Sequence, residues 1–208
     1  MGQLNISKVV LNLIFLNVGI FVLQYVIPGF RELLPLYEPG LPWLPAKYVM
    51  PDFKPYQVVT YFFAHGGPMH ILFNMYALAS LGTQVEMVFG EKRFLAFYLF
   101  CGVFAGVALA LLDPSRGVVV GASGAVSGVF TAYAIYYPNQ RLSLMFIPIQ
   151  FKARDLAIGI AAISGLLVLL SLKYPGAGGG ISHFGHLAGM AAGWLFLKFE
   201  GLVGRIRK

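Results

Sequence analysis

The sequence reads as an all-α membrane protein, a six-transmembrane-helix bundle with a long, partly embedded first outer loop. Three observations predict it. Of the 208 residues, 58% are hydrophobic and only 11% charged, with a mean hydropathy of +0.76, whereas soluble domains carry roughly 25% charge. Uncharged stretches fall at 9–30, 55–85, 94–112, 117–140, 156–172 and 174–197. Each has room for the ~20 apolar residues that cross ~30 Å of hydrocarbon, the fifth only just. None shows the ten-residue alternation of a membrane β-strand, and backbone in lipid otherwise satisfies itself only as helix. The same numbers exclude a water-soluble enzyme and a disordered chain. A single cysteine, Cys101, leaves no disulfide framework and no Cys-rich metal site.

Helices are expected at about 9–27, 69–88, 93–112, 121–137, 156–172 and 182–199, within one domain, 1–208, with no soluble domain at either end. The first is too long for the ~7–15-residue apolar core of a cleavable leader, and no small-residue cleavage site follows it. The loop 28–57 is rich in proline and aromatics (Pro28, Pro35, Pro39, Pro42, Trp43, Pro45) and weakly charged. Trp and Tyr favour the membrane interface, which places this loop partly in the outer surface. The second span opens with His65-Gly66-Gly67-Pro68-Met69-His70 and continues to Asn74. Pro68 suits a first helical turn, where its missing N–H costs nothing, and His70 and Asn74 share a face at spacing four. Near its inner end Glu86 reads as a buried structural carboxylate bonded to loop groups.

In the third span Phe94, Phe97, Tyr98 and Phe104 are core or lipid-facing, and Cys101 is an apolar filler. The fourth opens with Gly121-Ala122-Ser123-Gly124 and continues to Gly128. The fifth, 156–172, is short and nearly free of polar residues, which makes it a candidate gate. The sixth opens with Ser182-His183-Phe184-Gly185-His186 and carries Gly185, Gly189 and Gly193. Small residues at such spacing let helix backbones approach closely in lipid. Opposed stripes on the fourth and sixth spans would bring Ser123 and His186 near hydrogen-bonding reach.

Lys and Arg set the orientation. With the N-terminus inside, inner segments hold ten (Lys8, Lys92, Arg93, Arg141, Lys152, Arg154, Lys198, Arg205, Arg207, Lys208) and outer segments five (Arg31, Lys47, Lys54, Arg116, Lys173). Both termini are therefore expected to be cytoplasmic. The net charge of +7 then reflects topology and anionic-lipid contact, not nucleic acid. On this orientation the second, fourth and sixth spans all begin outside, so their three polar clusters lie at a similar depth near the outer surface. A water-filled pocket opening outward would reach them.

Polar groups in membrane helices are costly and mark function. A serine hydroxyl is a weak nucleophile until a base takes its proton, and histidine serves near neutral pH. Acyl transfer also needs donors for the oxyanion. The side chains of His70 and Asn74, with the Ser123 backbone N–H at a helix start, are candidates. No aspartate lies at this depth to orient His186, so a Ser–His dyad is expected instead of a triad. Taken alone, Ser123 would be a small packing residue, Asn74 an interhelical hydrogen-bonder, and His183 a polar residue near the surface.

His65-xxxx-His70-xxx-Asn74, the Gly121-Ala122-Ser123-Gly124 turn and His186-xx-Gly189, in this order, resemble the rhomboid intramembrane serine proteases. The likeness runs from HGGPMHILFNMYAL in the second span to HFGHLAGMAAG in the sixth and takes in Glu86 and Gly90. It implies that Ser123 is the nucleophile and His186 the base. It implies that His70 and Asn74 serve the oxyanion pocket, that His65 supports it, and that Gly121 and Gly189 permit close approach. Gly124, Gly128, Gly185 and Gly193 are the helix-packing positions. The implied substrates are single-pass transmembrane proteins cut in or near their membrane segment, often after a small residue, with the lipid bilayer as surroundings and no cofactor, metal or nucleic acid. The implied setting is a bacterial cytoplasmic membrane. Two departures stand out. Tyr56-Gln57 occupies positions where many members carry Trp-Arg, and Ser127 stands where many carry an aromatic that stacks on the histidine; Phe184, Phe130 or a water would then orient His186.

Two other classes compete with this reading. A catalytically silent binder of transmembrane helices would commonly lack the serine or the histidine, and this chain has both. A zinc or haem protein using His65, His70, His183 and His186 would want three or four ligands at one point, and the HExxH zinc-protease signature is absent.

Overall fold

The computed structural model describes residues 5–37, 53–113, 117–143, 149–174 and 177–206, with 200–206 as backbone. The Pro- and Trp-rich middle of the first loop, including Trp43, lies outside the described residues, and so does Arg116. Long helical rods dominate. The first, α1 (Lys8–Val26), is followed by a short α2 (Phe30–Leu33) and a two-residue strand β1 (Leu36–Tyr37). Then come α3 (Gln57–Thr60) and a 3-10 turn (Tyr61–Phe63). Next, α4 (Pro68–Ala77) passes through a π-helical turn (Leu78–Gly82) into α5 (Thr83–Phe89) as one rod. Gly90, at φ 77°, makes the sharp turn into α6 (Glu91–Leu112). β2 (Val118–Val119) precedes α7 (Ser123–Tyr136). A hairpin of β3 (Arg141–Ser143) and β4 (Gln150–Lys152) leads into α8 (Ala153–Lys173), and α9 (His183–Ile206) follows.

Three of these helices, α1, α6 and α8, are long and apolar enough to cross a bilayer on length and composition alone. Of the others, α7 has 14 residues, and α4 and α5, with 10 and 7, are separated by the π-helical turn. α7 is the most enclosed, packed between α6 and α9 and against the π-helical turn. α8 is the opposite case. Only Ala153 and Ser164 are buried along it, while Ile158, Ile163, Leu166, Leu169 and Leu172 face outward. An outward leucine–isoleucine face of this length is what lipid, not water, accommodates. The core between α1, α5, α6 and α7 is aromatic and aliphatic: Tyr61, Phe62, Phe94, Phe97, Tyr98, Leu78, Val85 and Val129. Of the aromatic residues expected along the third span, Phe94, Phe97 and Tyr98 are fully buried and Phe104 half-buried.

The structure differs from the sequence reading at several boundaries. The fourth span was expected from 121, yet α7 starts at Ser123, because Gly121 has φ 119°, a left-handed value outside the helical range. The sixth runs on to Ile206. The first loop contributes a strand: β1 pairs antiparallel with β2, Leu36 opposite Val119 and Tyr37 opposite Val118. Gln57, at one of the two departure positions, organises that loop. Its buried side-chain oxygen accepts the N–H groups of Lys54 (3.0 Å) and Tyr37 (3.5 Å). Glu86 is not bonded to loop groups alone but caps α1. Its carboxylate accepts the Ser7 hydroxyl (2.5 Å) and the N–H groups of Val9 (3.1 Å) and Val10 (2.9 Å). Those are donors of a helix start that have no partner within the helix.

Candidate active site

The starts of α4, α7 and α9 meet at one end of the bundle, and the candidate residues are carried there. α4 begins with Pro68 at its first turn, which sets His70 on the third residue of the helix. The preceding loop is held from a distant element. The Gln24 side chain on α1 accepts the His65 N–H (3.0 Å) and donates to the His65 carbonyl (3.3 Å). The buried His65 ring then stands edge-on to that of His70, centroids 5.2 Å apart.

His70 leans on Gly121. A Cβ at Gly121 would lie 2.6 Å from both Cε1 and Nε2 of the imidazole, so only glycine leaves room for the ring and tolerates the φ of 119°. The Gly121 N–H donates to the Tyr61 carbonyl (2.9 Å), which fixes the turn on the 3-10 segment. On the other edge of the ring, the Gly66 N–H donates to His70 Nδ1 (3.4 Å). With Nδ1 accepting, a neutral imidazole carries its proton on Nε2, the edge turned toward the Gly121–Ser123 turn. The buried Asn74 amide donates to the His70 carbonyl (2.9 Å), spending one of its two donors on its own helix.

Ser123 is the first residue of α7, half-buried. The first bond within this helix runs from the Val126 N–H to the Ala122 carbonyl (2.9 Å). The Ser123 N–H thus belongs to the donors a helix start leaves open, where negative charge is favoured.

α9 begins beside it. The Ser182 hydroxyl accepts the Gly185 N–H (3.2 Å) and the Ser182 carbonyl accepts the His186 N–H (3.1 Å), a capped start. The seam with α7 is backbone against backbone. A methyl on Gly189 would overlap the Gly124 carbonyl, and one on Gly193 would come within 2.6 Å of the Gly128 carbonyl oxygen. A Cβ on Gly124 would lie 3.5 Å from the Gly185 carbonyl oxygen. Gly128 also leaves the space that the Cys101 thiol fills from α6. His186, between Gly185 and Gly189, is therefore level with Ser123, the neighbour of Gly124. Among the described residues no hydrogen bond joins the Ser123 and His186 side chains; catalytic hydrogen bonds in unliganded enzymes are often long and tighten on substrate.

Ser127, the second departure position, is half-buried, and its carbonyl accepts the Thr131 hydroxyl (3.0 Å). The ring found beside His186 is His183, edge-on with centroids 6.1 Å apart. It was read as a polar residue near the surface; it is half-buried. Sequence reasoning also missed Gln24 and Tyr61. Gln24 did carry a signal, as one of the few polar side chains on an apolar span. Tyr61 acts through its backbone carbonyl and had none.

A mostly helical integral membrane protein with apolar helices turned to lipid, and a serine turn packed on two histidine-bearing helix starts, defines the class. Within it, the sequence profile of the Rhomboid domain matches residues 52–200, and the chain belongs to the rhomboid family. It is 29% identical over 141 residues to the presenilin-associated rhomboid-like protein, mitochondrial, of Rattus norvegicus, covering 66% of this chain and 36% of that one. It is 29% identical over 148 residues to rhomboid protease GluP of Bacillus subtilis, covering 71% and 26%. It is 30% identical over 152 residues to RHOMBOID-like protein 4 of Arabidopsis thaliana, covering 73% and 36%. The match thus spans only about a quarter to a third of the length of these relatives.

Proposed function

We propose that the protein is an intramembrane serine endopeptidase that cuts single-pass membrane proteins in or near their transmembrane segment. The observation that carries this reading is the glycine seam, which sets Ser123 and His186 level on adjacent helices with the His70 ring resting on Gly121. In the proposed reaction a substrate helix enters laterally and unwinds at its outer end near a small residue. His186 takes the Ser123 proton as Oγ attacks the peptide carbonyl. The oxyanion is met by the Ser123 N–H, by Nε2–H of His70 and by the remaining donor of Asn74, a preorganised set that needs no reorganisation as charge develops. His186 then gives its proton to the leaving amine, and water from the outer face hydrolyses the acyl-enzyme.

The same proposal includes six membrane spans: α1, the α4–α5 rod, α6, α7, α8 and α9. It places both termini in the cytoplasm and the site near the outer face. The test is cleavage of a single-pass substrate in liposomes containing the purified chain. Wild type is expected to yield two fragments, and Ser123→Ala and His186→Ala none, with melting temperatures unchanged. Equal cleavage by Ser123→Ala would overturn the proposal.

A further inference from the structure

The geometry points to a binding site for the phosphate of an anionic lipid headgroup on the β3–β4 hairpin, a place the proposed chemistry does not use. In the hairpin register Arg141 stands directly opposite Lys152, Leu142 opposite Phe151 and Ser143 opposite Gln150. Alternation therefore splits the ribbon into two faces. One face presents Arg141, Lys152, Ser143 and Gln150, all exposed and all able to donate hydrogen bonds, with no carboxylate among them. The other presents Phe151 and Leu142, the latter packed against the core. Like charges directly opposite each other in an antiparallel pair repel. Among the described residues neither Arg141 nor Lys152 forms an ion pair. The neighbouring Arg154 is already paired with Asp155 (3.2 Å). A phosphate between Arg141 and Lys152 would satisfy both cations at once.

The position of the ribbon selects lipid as the source of that phosphate. β4 runs directly into α8, one of the three helices apolar enough to cross a bilayer. The base of the hairpin is pinned by the Ala153 N–H on the Gln140 carbonyl (2.8 Å) and the Arg154 N–H on the Pro138 carbonyl (3.2 Å). The cations are thus held where a membrane helix emerges, at headgroup depth. Ile149 and Phe151 are exposed on the opposite face of the same ribbon, apolar surface suited to the acyl chains beneath the headgroups.

The test uses the full chain in phosphatidylcholine nanodiscs, titrated with phosphatidylglycerol and read by native mass spectrometry of bound lipid. Saturable binding of phosphatidylglycerol is expected, with affinity roughly 30-fold weaker in Arg141→Gln/Lys152→Gln, two interfacial cations having been removed. Melting in phosphatidylcholine alone should be unchanged. Lys8→Gln/Lys92→Gln, which removes the same charge from the same end of the bundle, should bind as wild type. Inorganic phosphate at equal concentration should not displace the lipid. Equal weakening by both double variants would mean diffuse electrostatic attraction and would overturn the site. Displacement by inorganic phosphate would overturn its assignment to lipid.

Discussion

At the end of the bundle where α4, α7 and α9 begin, helices meet backbone to backbone: Gly189 on Gly124, Gly193 on Gly128, His70 on Gly121. At the opposite end, α1 is joined to α5 through one buried carboxylate, Glu86, that accepts three hydrogen bonds. The first arrangement places reactive side chains by removing Cβ atoms; the second satisfies helix-start donors with a charge. The contrast teaches where precision is needed. Backbone contact leaves no rotamer freedom in the spacing of Ser123 and His186, whereas a carboxylate tolerates small shifts of what it holds. The side chains that form the candidate site at the first end, His70, Asn74, Ser123 and His186, are uncharged or imidazole, while the described cations Lys8, Lys92, Arg141 and Lys152 lie at the second.

Ser123→Ala should abolish cleavage, at least about a 10³-fold loss, without moving the melting temperature, because a small residue at the first turn of α7 packs much as before. Gly189→Val should cost about 3 kcal/mol or more and separate α7 from α9, since its Cβ meets backbone that has nowhere to go. Gly19→Val, with nothing within 4 Å of its Cβ, is the matched control and should melt as wild type. Glu86→Ala should cost about 2 kcal/mol by stranding buried donors; hydrogen exchange at Val9 and Val10 should rise, while cleavage by the still-folded fraction is retained. Gln24→Ala should cost about 1 kcal/mol in stability yet lower kcat more than it raises KM, because it frees the loop that holds His65 against His70. The smallest effect belongs to Lys8→Ala: its pair with Glu91 is exposed, so the loss should be about 0.3 kcal/mol and vanish in high salt.

Much of the helical layout was legible because apolar runs and their interruptions leave few alternatives in lipid. The expected first, third and fifth spans fall on α1, α6 and α8 within a few residues. The shared level of the polar clusters followed from helix direction alone. Other features were not legible because they depend on one backbone atom or one distant partner. Helix α7 starts two residues later than expected because of the Gly121 conformation. The partner of His65 is Gln24, 41 residues away. The partner of Gly121 is a carbonyl, which no side-chain pattern records. The hairpin at 141–152 was invisible for a different reason: its strands are three residues each, too short for alternation to stand out.

The most direct test of the central claim is covalent labelling of the membrane-reconstituted chain with a fluorophosphonate probe, followed by peptide mass spectrometry. One adduct is expected, on Ser123, lost in Ser123→Ala and strongly reduced in His186→Ala, while Ser127 and Ser182 stay unlabelled. Labelling that persists unchanged in His186→Ala, or that falls on another serine, would contradict it.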